Sequence, residues 1–161
     1  MSSVYLSLGA NLGDRKATIQ KALAYIAERV GSVIALSSYY ETKPWGYQSS
    51  EMYLNVAVEV TTELKPEALL AVTQAIEHAI GRQQKTIGNE YQDRMIDIDI
   101  LLYDDRIIHT PDLTIPHPLM HQRAFVMQPM SEIAPDIVHP VLQQTMAMLY
   151  AKGWSDDAPS L

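Results

Sequence analysis

Hydrophobic residues switch between two periods along this chain. Residues 4–10 (VYLSLGA) are short, apolar and ended by Gly9, the pattern of a first strand. Ile19, Ala22, Leu23, Ile26 and Val30 then recur at helical spacing, with Asp14 placed to cap the start and Gly31 to stop the run. Residues 32–40 and 53–62 read as two more strands. Between them ETKPWGYQSSEM is rich in turn formers and too long for a tight hairpin, a length usual in functional loops. Pro66 suits a first helical turn, Leu69, Val72, Ile76 and Ile80 form a buried stripe, and Gly81 is the expected terminator. A polar run leads into the strand RMIDIDILLY, residues 94–103. Short proline-rich pieces follow, with one more helix near 142–151 and a polar tail at 153–161.

Strand, helix, strand, strand, helix, strand is the split βαβ order of a ferredoxin-like α+β fold, one antiparallel sheet with helices on one face, here with C-terminal additions. The 161 residues are expected to make a single domain, 1–161.

Composition narrows the function. A net charge of −7 argues against non-specific nucleic-acid binding, which needs a basic surface. A small anion needs only local cations, and Arg82, Lys85, Arg94 and Arg123 are available. There is no cysteine, hence no disulfide or thiolate metal site. No apolar run is long enough to span a membrane, and the start lacks the features of a signal peptide, so the cytoplasm is the expected location.

Alternation along residues 95–103 puts Ile96, Ile98, Ile100 and Leu102 on one face of a strand and Asp97 and Asp99 on the other. The two aspartates then stand about 6.6 Å apart at their α-carbons. Carboxylates so placed repel each other unless a cation intervenes, and hard oxygen ligands suit magnesium. The same motif also occurs on merely solvated strand faces. Arginines beside it for phosphates and aspartates for cations match what nucleotide chemistry requires.

Other features each carry two readings. Glu77 is either a functional carboxylate or a surface partner of Arg82. Asn55, opposite the apolar face of its strand, either reads a heterocycle edge or is simply exposed. Trp45 either stacks on a flat ring or anchors its loop. His117 and His121 have a zinc-compatible spacing but no third ligand nearby; a phosphate-facing His117 with Arg123, and a surface His121, is more coherent. Gly9, Asn11 and Gly13 do not complete a dinucleotide-binding fingerprint.

Taken together, RMIDIDIL, YLSLGANLGDR, SSYYETKPWG, YLN at 53–55, IEHAIGR and IPHPLMHQRAF resemble the 6-hydroxymethyl-7,8-dihydropterin pyrophosphokinases of folate biosynthesis, over residues 4–140. The resemblance implies a ferredoxin-like fold and transfer of diphosphate from ATP to the pterin alcohol, releasing AMP. It implies two magnesium ions held by Asp97 and Asp99, with Arg82 and Arg94 as catalytic arginines on the triphosphate. Gln74, Glu77, Arg82, Arg94, Ile100, Thr114, His117 and Arg123 fall at ATP positions. Thr42, Pro44, Trp45, Tyr53, Asn55, Tyr91, Asp97 and Phe125 fall around the pterin. The chain departs from the family pattern at Ala10 and at Glu90, Tyr91, Gln92 and Asp93, where many members carry a basic residue and x-G-P. The alternatives are another magnesium-dependent nucleotide-using transferase, distinguished by its products, and a non-catalytic ferredoxin-like binding domain, distinguished by indifference to magnesium.

Overall fold

The computed structural model of the chain describes residues 1–42, 52–82 and 95–152, the side chain of Arg82 excepted. Within them the strands β1 (Ser2–Ala10), β2 (Gly31–Leu36), β3 (Tyr40–Thr42), β4 (Tyr53–Thr62) and β5 (Asp97–Tyr103) build one antiparallel sheet in the order β2-β4-β1-β5. β3 pairs with β4 through Tyr40↔Asn55 and Thr42↔Tyr53, ahead of the stretch where β2 pairs. The predicted strand at 32–40 is therefore two strands. At the break the Ser37 hydroxyl accepts the Ala57 N–H at 2.9 Å, where a backbone carbonyl would otherwise serve.

Helices α1 (Arg15–Arg29) and α2 (Pro66–Arg82) cover one face. Asp14 caps α1 as predicted, its carboxylate accepting the Ala17 N–H at 3.1 Å. Ile19, Ala22 and Ile26 of α1 and Leu69, Ile76 and Ile80 of α2 pack on the even-numbered side chains of β1 and β4. Gly81 does not end α2, which runs through Arg82; a glycine in a last turn weakens a helix without breaking it.

The other face carries a second layer. A 3-10 turn at Met120–Gln122, α3 (Ala124–Ile133) and α4 (Met146–Ala151) bury Met120, Val126, Met127, Met130, Met146 and Leu149 against Tyr5, Ala57 and Leu101. Helices on one face only was thus too narrow an expectation. α3 has no sequence signature because Pro129 lies inside it. The proline withholds one N–H, from the Phe125 carbonyl, and burial of the surrounding methionines and Val126 offsets the loss. β6 (Ile108–His109) and β7 (Thr114–Ile115) form a small separate ribbon.

One irregularity changes which residues face which layer. Leu6 pairs with Ile100, but Tyr5 pairs with Leu102, so Leu101 is an extra residue in β5. Beyond this bulge the alternation inverts. Leu102, expected beside Ile100, joins the methionine layer, and Tyr103 turns to the α1–α2 side, where its hydroxyl donates to the Leu64 carbonyl.

The methionine layer also buries His139, whose Nδ1 accepts the N–H groups of Val141 and Leu142 at 3.2 and 3.1 Å. His121 stands edge-on to it at 6.1 Å between ring centroids, not on the open surface as expected. Burial first, and the His121 charge second, hold the His139 pKa below the ordinary 6.5. Below that value the unfolded chain binds a proton that the folded chain refuses. Stability should therefore be full above about pH 6.5 and fall as the pH drops toward the folded pKa. Thermal melts from pH 7.5 to 5 should show a shallower loss for His139→Asn, whose oxygen keeps the acceptor without titrating. An unchanged slope would remove His139 as the cause.

Candidate active site

The odd-numbered side chains of β1 and β4, and of β5 as far as Leu101, point away from α1 and α2, and at one end of the sheet the methionine layer leaves them uncovered. There a cleft of about 150 Å³ is lined by Ser7, Gly9, Thr42, Tyr53, Asn55, Asp97, Asp99, Arg123 and Phe125. Its floor is β1. In the register Asn55 of β4 and Asp97 of β5 lie on either side of Gly9, and Asp99 lies beside Ser7. The small side chains of the central strand therefore open a trough between an amide and two carboxylates. Asn55 and Asp97 are two strand spacings apart, about 9.6 Å.

Asn55 is buried at 3% exposure, and its Nδ2 donates to Thr42 Oγ1 at 2.6 Å. This orients the amide, and its Oδ1 lies where a β-carbon at position 9 would come within 2.7 Å. A side chain at position 9 would therefore push the Asn55 amide out of this orientation. Arg123, the residue before α3, and Phe125, in its first turn, close the opposite side, with the guanidinium 5.5 Å from the ring centroid.

His117 stands near Asp99 and Arg123. Burial depresses its pKa, the Asp99 charge works against that, and Arg123 adds to it, leaving the ring neutral-leaning. Its Nδ1 accepts the Leu119 N–H at 3.2 Å, so in the neutral ring the proton resides on Nε2. The His117 N–H donates to the Leu101 carbonyl at 3.0 Å, fastening this segment to the outer edge of β5.

Of the other predicted positions, Glu77 reaches the same edge from α2, its carboxylate accepting the Ile98 N–H at 2.7 Å. Gln74 is exposed one turn earlier on α2, and Thr114 is half-buried on β7. The Ile100 side chain is 5% exposed in the α1–α2 core, so any contact from it to a ligand at the edge must use backbone. Pro44, Trp45, Tyr91 and Arg94 lie outside the described residues, as does the Arg82 side chain at the end of α2. Ser7 and Gly9 as cleft floor were not anticipated. The signal was present in YLSLGA, where Tyr5, Ser7 and Gly9 alternate with the apolar set Val4, Leu6 and Leu8.

The donor set of Asp97 and Asp99 fits magnesium: two hard carboxylates sharing one strand face toward an open cleft, beside small residues that leave room for phosphate and water. Among the described residues no group of three or more His, Asp or Glu side chains is placed to hold a metal. No helix among the described residues is long and apolar enough to cross a membrane.

Comparison with known proteins places the chain in a wider group. A sequence model described as 7,8-dihydro-6-hydroxymethylpterin-pyrophosphokinase (HPPK) matches residues 5–135. The 2-amino-4-hydroxy-6-hydroxymethyldihydropteridine pyrophosphokinase of Porphyromonas gingivalis is 50% identical over 136 residues, covering 84% of this chain and 92% of that protein. Its namesake in Aquifex aeolicus is 37% identical over 146 residues, covering 91% and 89%. A crystal structure of wild-type Plasmodium falciparum HPPK-DHPS with STZ-DHP superposes with a TM-score of 0.78 at 18% identity. That match covers 94% of this chain and 43% of the Plasmodium chain, and carries the likeness of fold.

Proposed function

Since this chain belongs to the 7,8-dihydro-6-hydroxymethylpterin-pyrophosphokinase family, we propose that its cleft transfers the terminal diphosphate of ATP to the hydroxymethyl group of 6-hydroxymethyl-7,8-dihydropterin, yielding AMP and the pterin diphosphate. The observation that carries the reading is the trough itself, with Asn55 on one side of Gly9 and the Asp97–Asp99 pair on the other.

Each side suits one substrate. Thr42 Oγ1 accepts from Asn55 and so has its own proton to donate, while Asn55 Oδ1 remains an acceptor. Hydroxyl donor and amide acceptor together complement the amino–carbonyl edge of a pterin. The span of about 9.6 Å to Asp97 accommodates the bicyclic ring and brings its one-carbon arm to the carboxylates. Phe125 offers a ring face to the flat heterocycle.

ATP is assigned to the outer edge of β5, between Gln74 and Glu77 of α2 and the segment carrying Thr114 and His117, with its phosphates turned over the edge toward Asp99. Asp97 and Asp99 hold magnesium there, two ions in the full complex. When bound, magnesium neutralises charge on the phosphate chain. Arg123 presents a planar fork to phosphate oxygens, and the Nε2–H of neutral His117 donates a further hydrogen bond. Arg82 and Arg94 complete the cationic set. The pterin hydroxyl attacks the β-phosphorus in line and AMP leaves, a reaction that depends more on positioning and electrostatics than on a strong base. The same reading puts the enzyme in the cytoplasm.

Incubation with ATP, magnesium and 6-hydroxymethyl-7,8-dihydropterin should give equal amounts of AMP and pterin diphosphate by mass analysis. ADP with a pterin monophosphate, or no pterin product, would reject the assignment.

A further inference from the structure

β3 is three residues long, and strands so short hold little structure alone. Yet it carries Thr42, on which the Asn55 amide depends. Two charged side chains from distant segments hold it. On the cleft side Glu132, near the end of α3, accepts three hydrogen bonds: one oxygen takes the Ser38 N–H at 2.9 Å and the Tyr40 hydroxyl at 2.7 Å, the other takes the Ser38 hydroxyl at 2.9 Å. Behind, Arg15 in the first turn of α1 reaches the Glu41 carboxylate at 2.6 Å and the Met52 carbonyl at 2.7 Å. Alternation puts Tyr40 and Thr42 on the front of the strand and Glu41 on the back.

We propose that Glu132 is a positioning residue for the acceptor substrate, fixing β3 so that Thr42 and Asn55 present one preset edge to it. This rests on the proposed pyrophosphokinase reading. α3 acts as a strut: Phe125 in its first turn faces the cleft, and Glu132 about two turns later grips the strand that bears Thr42. Both walls of the acceptor pocket are therefore tied to one helix. The titration behaviour agrees with the geometry. The bond to Glu132, aided by burial, pushes the Tyr40 pKa up to about 12. Partial burial disfavours the Glu132 charge, but the bonds from Tyr40 and Ser38 outweigh it and hold the carboxyl below the ordinary range. Nothing in this arrangement touches the outer edge of β5, so ATP should be unaffected.

The test compares Glu132→Ala, Glu132→Gln and Tyr40→Phe by steady-state kinetics with each substrate varied in turn. Glu132→Ala should raise KM for the pterin about tenfold or more while KM for ATP stays within about twofold, since three bonds to a carboxylate are lost. Glu132→Gln should recover most of the affinity. Its oxygen can accept from Ser38 N–H and Tyr40, and its NH2 can donate to the Ser38 hydroxyl. Tyr40→Phe, which loses one bond, should raise the pterin KM about threefold. Equal rises in both KM values, failure of glutamine to rescue, or no change in any variant would overturn the proposal. If the alanine variant does not fold, Tyr40→Phe decides by the same split between the two KM values. A wild-type chain that makes no pterin diphosphate would instead sink the functional reading, and this one with it.

Discussion

Asp97→Ala and Asp99→Ala should each lower kcat by at least about a thousandfold, because each removes half of the carboxylate set proposed to hold the metal against the phosphates. Folding should survive. Both side chains sit half-exposed at the rim of the cleft, outside the two packed layers, so either change leaves the core intact. Two like charges on one strand face also repel, which offsets part of what either substitution removes, so the melting temperature in metal-free buffer should change little. The diagnostic measurement is the shift in melting temperature on adding magnesium and a non-hydrolysable ATP analogue. Wild type should be stabilised by mass action, and each variant much less. Near-normal turnover in either variant, or an equal magnesium-dependent shift, would contradict the metal assignment.

Gly31→Ala should produce the opposite profile, a large loss of stability with the chemistry spared. At the turn from α1 into β2 the backbone of β4 passes so close that a β-carbon on residue 31 would lie 1.8 Å from the Thr61 carbonyl oxygen and 2.9 Å from its carbon. These are backbone atoms, fixed by pairing of Gly31 with Thr62 and of Thr61 with Ser3, and no side-chain rotation relieves the clash. Overpacking against such a rigid neighbour costs about 3 kcal/mol or more. For a chain of this size that lowers the melting temperature by roughly 6–12 °C. The cleft lies at the other end of β4, so kcat at 25 °C should stay within about twofold of wild type. A melting temperature within about 2 °C of wild type would show that β2 can shift outward at little cost.

How much of this was legible beforehand depended on the range of the interaction. Local signals held: the Asp14 cap, the stripes of α1 and α2, and β4 at residues 53–62 follow from spacing alone. Parity also revealed Asp97 and Asp99 as partners on one face, because two-residue alternation is a property of any strand. It failed only past Leu101, where an extra residue inverted it. α3 was hidden by Pro129 and by its lack of a charged face, and the gap between β2 and β3 by a serine hydroxyl standing in for backbone. Contacts across the fold left no pattern. Glu77 looked like a surface carboxylate until the edge of β5 supplied its N–H partner, and Glu132 meets Ser38 across 94 residues. Such pairings depend on the tertiary arrangement, which neither residue's neighbours in sequence encode.

The extra leucine in β5 makes strand length a counted quantity. Deleting Leu101 would restore strict alternation with Leu102 still opposite Tyr5 and Tyr103 still opposite Val4, so the aspartates and the Tyr103 hydroxyl would keep their faces and only the leucine's contribution to the methionine layer would be lost. Homologous chains that lose a residue between Asp97 and Tyr103 should therefore lose it at the bulge, the one point where a single-step change leaves the aspartates and Tyr103 on their own sides of the sheet.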